Sequence, residues 1–194
     1  MVFSRMTFRT MLCFCFLHIL HLVQSTDDAE TLFQSINSYR TSQNLTTLSE
    51  NTNARCLAEK LAAQLKDQPC TNTTGADTVP GTEPQFSNYP NLLSSCHLNA
   101  SITRDGEIMP ACVPSLDPTL ILGNYTNSQY SAYLNDTTFT GMGVGADENW
   151  VVVILTTNTS EGSFTDSIGT GKASSIHTFQ SLLLFFILFM LSLW

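Results

Sequence analysis

Trp150-Val-Val-Val-Ile-Leu155 is apolar at every position. A strand sends successive side chains to opposite faces, so a run with no polar position belongs to a central strand covered on both sides. Phe139 to Gly145 reads as its neighbour, with Ala146-Asp147-Glu148 as the turn into Asn149–Thr157. Gly141-Met-Gly-Val-Gly145 has the glycine density of a phosphate loop, but it precedes a strand instead of opening a helix. Close backbone packing explains these glycines better.

Upstream the period changes from two to 3.6. In residues 50–67, Ala54, Leu57, Ala58, Leu61, Ala62 and Leu65 form one helical stripe, with Ser49 as the expected cap and Pro69 as the stop. Cys56 lies off that stripe, so its disulfide is expected to strap another segment across the outer face of this helix. Residues 27–42 read as a further helix. Thr26 caps it, Asp27, Asp28 and Glu30 suit its first turn, and Leu32, Phe33, Ile36 and Tyr39 recur at helical spacing. Residues 119–134 read as helical after the Asp117-Pro118 start, interrupted at Gly123.

Residues 69–118 hold every proline and three of the four mature cysteines, which predicts a loop-rich, cystine-stapled stretch with no regular core element. Within it, Asp105-Gly106 reads as a tight hairpin turn between Ile102 and Met109.

The two ends carry processing signals. Arg5 and Arg9 precede an apolar run over residues 11–23 that is too short to span a membrane, so residues 1–25 read as a signal peptide cut after Ser25. Residues 182–194 are apolar to the last residue and follow a ten-residue polar spacer, Lys172 to Ser181. Three small-residue positions, Gly169-Thr170-Gly171, precede the spacer, which is the order of a glycolipid (GPI) attachment signal. Attachment is expected at Gly169, with Gly171, Ala173, Ser174 and Ser167 as alternatives. The domain plan is therefore signal peptide 1–25, ectodomain 26–158, flexible Ser/Thr/Gly-rich stalk 159–169 and removed propeptide 170–194.

The mature chain keeps five basic residues (Arg40, Arg55, Lys60, Lys66, Arg104) against sixteen acidic ones, a net charge of −11. That balance excludes nucleic acid and repels anionic headgroups. Cys13 and Cys15 leave with the signal peptide. Cys56, Cys70, Cys96 and Cys112 remain, an even set that predicts two disulfides in an oxidising compartment. The pairing adopted is Cys56–Cys112 with Cys70–Cys96, one of three connectivities that stay open. Sequons fall at Asn44, Asn72, Asn99, Asn124, Asn135 and Asn158, which predicts a heavily glycosylated surface.

Catalysis needs an acid or base of suited pKa beside a nucleophile or metal. His97 is the single mature histidine and sits in a loop after a cysteine. The carboxylate pairs Asp105/Glu107 and Asp147/Glu148 fall in expected turns. No catalytic residue, cofactor or metal ligand is assigned.

Ile36-Asn-Ser-Tyr-Arg40, Asn44-Leu-Thr-Thr-Leu48, Lys66-Asp-Gln-Pro-Cys70-Thr-Asn-Thr-Thr74, Thr103-Arg-Asp-Gly106, Pro110-Ala-Cys112-Val-Pro114 and Thr140-Gly-Met-Gly-Val-Gly145 together resemble a plant family of glycolipid-anchored surface glycoproteins. The resemblance covers nearly the whole mature chain and brings no established activity. Asn37, Arg40, Leu45, Leu48, Ala58, Ala62 and Gly143-Val-Gly145 are also similar to the CAP superfamily of cysteine-rich secretory and pathogenesis-related proteins. That likeness implies an α+β, CAP-like sandwich of helices and sheet. CAP domains build a cleft from two histidines and two acids. Here the later histidine falls at Gln129 or Tyr130, and the earlier one has no counterpart after Cys70.

The expectation is a GPI-anchored extracellular plant glycoprotein, held on the outer leaflet. It acts as a non-catalytic module binding an extracellular protein or glycan. Carriage of a lipid or sterol is the alternative, and a hydrolase using His97 ranks third.

Overall fold

The computed structural model describes residues 28–70 and 86–166. Strand β4 (Trp150–Thr157) is buried at all eight positions and runs antiparallel between β3 (Phe139–Asp147) and β2 (Glu107–Cys112). Its side chains divide by parity. Val151, Val153 and Leu155 enter one core with α1 (28–42), α4 (Pro118–Thr126) and α5 (Ser131–Leu134). Trp150, Val152 and Ile154 enter the other with α2 (Thr52–Leu65) and α3 (Tyr89–Ser95). The result is an α+β sandwich of three layers about a sheet of order β1-β3-β4-β2, in which β1 (Ser49–Glu50) pairs parallel with β3.

The stripe of α2 is buried as expected. Its cap is Asn51 and not Ser49: the Asn51 side chain accepts from Ala54 N at 3.0 Å, while Ser49 is spent on β1. The helix lies directly on β3. A Cβ on Gly143 would overlap the Ala54–Arg55 backbone, and one on Gly145 would overlap Ala58–Glu59. Glycine on the strand and alanine on the helix together permit this approach.

Several expectations are corrected. Gly123 does not interrupt α4. It faces open space, where a Cβ would meet only Asn127 Nδ2 at 3.6 Å, and the break to α5 falls at 127–130. The proline- and cysteine-rich segment supplies α3 and the core strand β2; Pro110 is accommodated because β2 is an edge strand. Asp105-Gly106 turns the chain, but no hairpin forms, because β2 pairs with β4 and the upstream flank instead receives Phe164 N on Ile102 O at 3.2 Å. The turn between β3 and β4 is Glu148-Asn149, one position later than expected, with Glu148 at φ 53°.

The disulfides are Cys56–Cys96 and Cys70–Cys112, not Cys56–Cys112 with Cys70–Cys96. Cys96 caps α3, which lies on α2 beside Cys56, so α3 is the strapped segment. Trp150 Nε1 donates to Gln68 O at 3.1 Å and draws the tail of α2 to the end of β2, where Cys112 stands opposite Trp150. That brings Cys70 to Cys112, at a Cα separation of 5.6 Å.

The stalk expected over 159–169 is corrected as far as Asp166. Phe164 is 1% exposed in the α2 core, and Asn53 Nδ2 donates to Phe164 O at 3.0 Å and Asp166 Oδ1 at 2.9 Å. Ser25, Ser167, Gly169, Gly171, Ala173, Ser174 and Asn72 lie outside the described residues.

Candidate functional site

Helix α1 has one face committed to the fold and one open to solvent. On the inner face Asn37 clamps Leu48 from both sides, donating to its O at 3.0 Å and accepting from its N at 2.7 Å. Arg40, three residues on, is wholly buried. Its Nε donates to Thr46 O at 2.9 Å and its Nη1 to the carbonyls of Leu134 and, at 3.2 Å, Asp136. Burial lowers its pKa and nearby Asp136 opposes that shift, but a guanidinium stays charged. Asn37 and Arg40 thus pin the 43–48 loop and the end of α5.

The outer face borders a shallow groove, widely open to solvent. Glu30, Thr31, Gln34, Ser35, Ser38, Tyr39 and Ser42 line it from α1, and Leu122 from α4. Thr31, Ser35, Ser38 and Ser42 recur at helical spacing. Ser35 Oγ donates to Thr31 O at 2.7 Å, Ser38 Oγ to Gln34 O at 2.9 Å and Ser42 Oγ to Tyr39 O at 2.6 Å. Each serine proton is spent on the helix backbone, so the remaining lone pairs can only accept, as Ser42 Oγ already does from Gln43 Nε2 at 3.3 Å. Gln34 Nε2 donates to Glu30 Oε1 at 2.8 Å, and Tyr39 lies half-buried with part of its ring in the groove. Below, the seam between α1 and α4 holds a void of only about 10 Å³.

The side chains weighed for catalysis do not meet in one cleft. His97 is exposed at the end of α3, across the sheet from α1, with φ 59°. Asp105 Oδ2 accepts from Thr159 Oγ1 at 2.7 Å, pinning the turn after β4, while Asp147 ends β3 and Glu148 lies in the β3–β4 turn. Gln129 is exposed, and Tyr130 is wholly buried and donates to Pro110 O at 3.1 Å. Tyr130 stacks on Tyr125 with ring centroids 5.8 Å apart; the Tyr125 hydroxyl bonds Met109 O at 3.0 Å and Val151 O at 3.2 Å. Burial, reinforced by Tyr130, pushes the Tyr125 phenol well up. Of the two positions weighed as counterparts of the later CAP histidine, Gln129 therefore stands at the surface and Tyr130 is packed in the core, bonded to the carbonyl of Pro110 in β2. No cluster of three or more metal-binding side chains occurs among the described residues, and none of their helices is long and apolar enough to cross a membrane.

Asn44, Asn99, Asn135 and Asn158 are exposed. Asn99 accepts from Ser101 N at 2.9 Å in a local turn. Asn124 differs: it is half-buried on α4 and its Nδ2 donates to Leu120 O at 2.9 Å.

Residues 29–155 match the model of the uncharacterized GPI-anchored protein At5g19230-like domain. The chain belongs to this family. A relative from Arabidopsis thaliana, the uncharacterized GPI-anchored protein At3g06035, is 55% identical over 172 residues, covering 88% of this chain and 86% of that protein. Both names say GPI-anchored, which places this chain on the extracellular face of the cell membrane, reached through the secretory pathway. The fold is that of CAP (SCP) domains: an extracellular SCP-domain protein of Bacillus anthracis superposes with a TM-score of 0.52 at 19% identity, over 68% of this chain and 40% of that one. A cysteine-rich secretory protein of Staphylococcus aureus matches over 68% of this chain and 38% of that one, with a TM-score of 0.48 and 16% identity.

Proposed function

We propose that this protein is a non-catalytic binding module of the cell surface, whose α1 groove takes a neutral glycan chain. The observation that carries the reading is the row of serine hydroxyls whose protons are turned into the helix. Such a row offers acceptors to a ligand rich in hydroxyl donors, and the Tyr39 ring adds a surface for a sugar face. Glu30 and the mature charge of −11 disfavour acidic polysaccharides. Lipid carriage finds less support, since an acyl chain or sterol needs an enclosed apolar cavity of roughly 300 Å³ or more, and this groove, although most of its exposed lining is apolar, lies widely open to solvent.

Calorimetry of the shed ectodomain against neutral hemicellulose oligosaccharides and oligogalacturonides tests this. Neutral oligosaccharides should bind, oligogalacturonides should not, and Tyr39→Ala should weaken binding at least tenfold. Equal binding by Tyr39→Ala, or turnover of the sugar abolished by one acidic substitution, refutes the reading.

A further inference from the structure

Strands β1, β2 and β3 all begin, and β4 ends, at one end of the sheet: Ser49 pairs with Gly141, Glu107 with Leu155 and Phe139 with Thr157. Four sequons stand at that end. Asn44 lies five residues before β1, Asn99 eight before β2 and Asn135 four before β3, and Asn158 directly follows β4. Tertiary contacts hold them there. Arg40 joins the loop after Asn44 to the segment around Asn135 through Thr46 O and Asp136 O. The Asn99 loop is tied to the turn after Asn158 by Asp105 N on Glu161 O at 3.1 Å and by the Thr159–Asp105 bond. All four asparagines are exposed.

The described chain also ends at this end of the sheet. Asn51 N bonds Met142 O, near the start of β3, and Asn51 Nδ2 donates to Ser163 O at 3.0 Å. Asn53 then holds Asp166, the last described residue of this segment. The far end carries the Glu148-Asn149 turn, the Cys70–Cys112 bridge and the 3₁₀ turn Pro114–Leu116. Asn149 braces it, accepting from Val113 N on its O and from Ser115 N on its Oδ1, each at 2.7 Å. Of the described sequons, Asn124 alone stands outside this cluster, half-buried on α4.

We propose that the end bearing Asn44, Asn99, Asn135 and Asn158 faces the membrane, its N-glycans forming a collar beneath the domain, while the Glu148-Asn149 end points outward. The inference rests on a C-terminal lipid anchor and is independent of what the α1 groove binds. Gly169 lies three residues beyond Asp166, a fully extended reach of roughly 10 Å, and Ser174 lies within about 29 Å. The nine residues of β3 span about 30 Å, so an inverted domain would need most or all of any such tether merely to run back along its own length.

The full-length anchored protein in plant plasma-membrane vesicles tests both parts. A donor dye is coupled to azidophenylalanine replacing either Glu148 or Ala100, with an acceptor lipid in the outer leaflet. Ala100 sits in the Asn99 sequon at a position that any residue except proline can fill. Energy transfer from position 100 should exceed that from position 148 at least twofold; equal or reversed transfer overturns the orientation. Peptide-N-glycosidase release in heavy-oxygen water should mark Asn44, Asn99, Asn135 and Asn158, and two or more of them unmarked overturns the collar. Phosphoinositide-specific phospholipase should abolish the transfer from both positions, and its failure to do so overturns the proposal at the anchor. The glycan-binding measurement above moves with none of these outcomes.

Discussion

Replacing Gly143 by alanine tests the closest approach in the fold. The new Cβ would lie 2.7 Å from Arg55 Cα and nearer still to Arg55 N and Ala54 C. All three are backbone atoms of a helix, so no rotamer change can relieve the overlap. Restoring an ordinary contact of about 3.5–4 Å requires α2 to retreat by about 1 Å or more. Ala54, Leu57, Ala58 and Leu61, which are at most 2% exposed, would then lose close packing on β3 and β4. Overpacking of this kind costs about 1–3 kcal/mol, and backbone against backbone lies at or above the upper end. With a urea slope of about 1.5 kcal/mol/M, a loss of about 3 kcal/mol lowers the unfolding midpoint by about 2 M. Gly123→Ala is the matched control. Its Cβ meets only Asn127 Nδ2 at 3.6 Å on helix α4, so it should raise stability by about 0.5–1 kcal/mol. Urea unfolding of the oxidised ectodomain, followed by tryptophan fluorescence, reads both. A Gly143→Ala midpoint within 0.3 M of wild type, or a greater loss from Gly123→Ala, would refute the reasoning.

Cys70→Ala/Cys112→Ala removes a bridge spanning 42 residues, and loop-closure entropy puts the loss at about 4 kcal/mol in thermal or urea unfolding. Phe164→Ala should cost about 3–5 kcal/mol by calorimetry, because Phe164 is buried in the α2 core; a loss under about 1 kcal/mol would return residues 159–166 to a stalk. The Asp136 carboxyl is held below its usual range, first by Thr138 N–H at 2.8 Å, then by the Thr138 side chain and Arg40. A depressed folded-state pKa gives stability that is present above the unfolded value of about 3.9 and lost as pH falls through the folded one. Melting temperatures from pH 7 to pH 2 should therefore fall less for Asp136→Asn than for wild type.

Long periodic elements were legible in the residues because burial writes its period directly. The α2 stripe, the unbroken apolar run of β4 and the helical spacing of α1 each have one placement that removes them from water. The same spacing in α1 also carries the groove, since Thr31, Ser35, Ser38 and Ser42 recur as regularly as Leu32 and Ile36. That polar row drew no reading from the sequence, because nothing local says it borders another helix. Gly123 misled because a glycine that breaks one helix is tolerated at modest cost in another. Asn51 lost the cap to Ser49 on paper, because β1 pairs with a strand about ninety residues away.

By itself the chain determined its compartment, its lipid tether, its disulfide-bearing α+β character and the two faces of its central strand. These depend on composition and on period, which are properties of neighbouring residues. Only the tertiary structure decided which cysteines join, how far the domain runs toward the membrane, and that four scattered asparagines share one end. Those outcomes turn on contacts such as Trp150 with Gln68 and Arg40 with Asp136, which span 82 and 96 residues. Such contacts leave no period in the chain; they exist only once the sheet's register has brought their partners together.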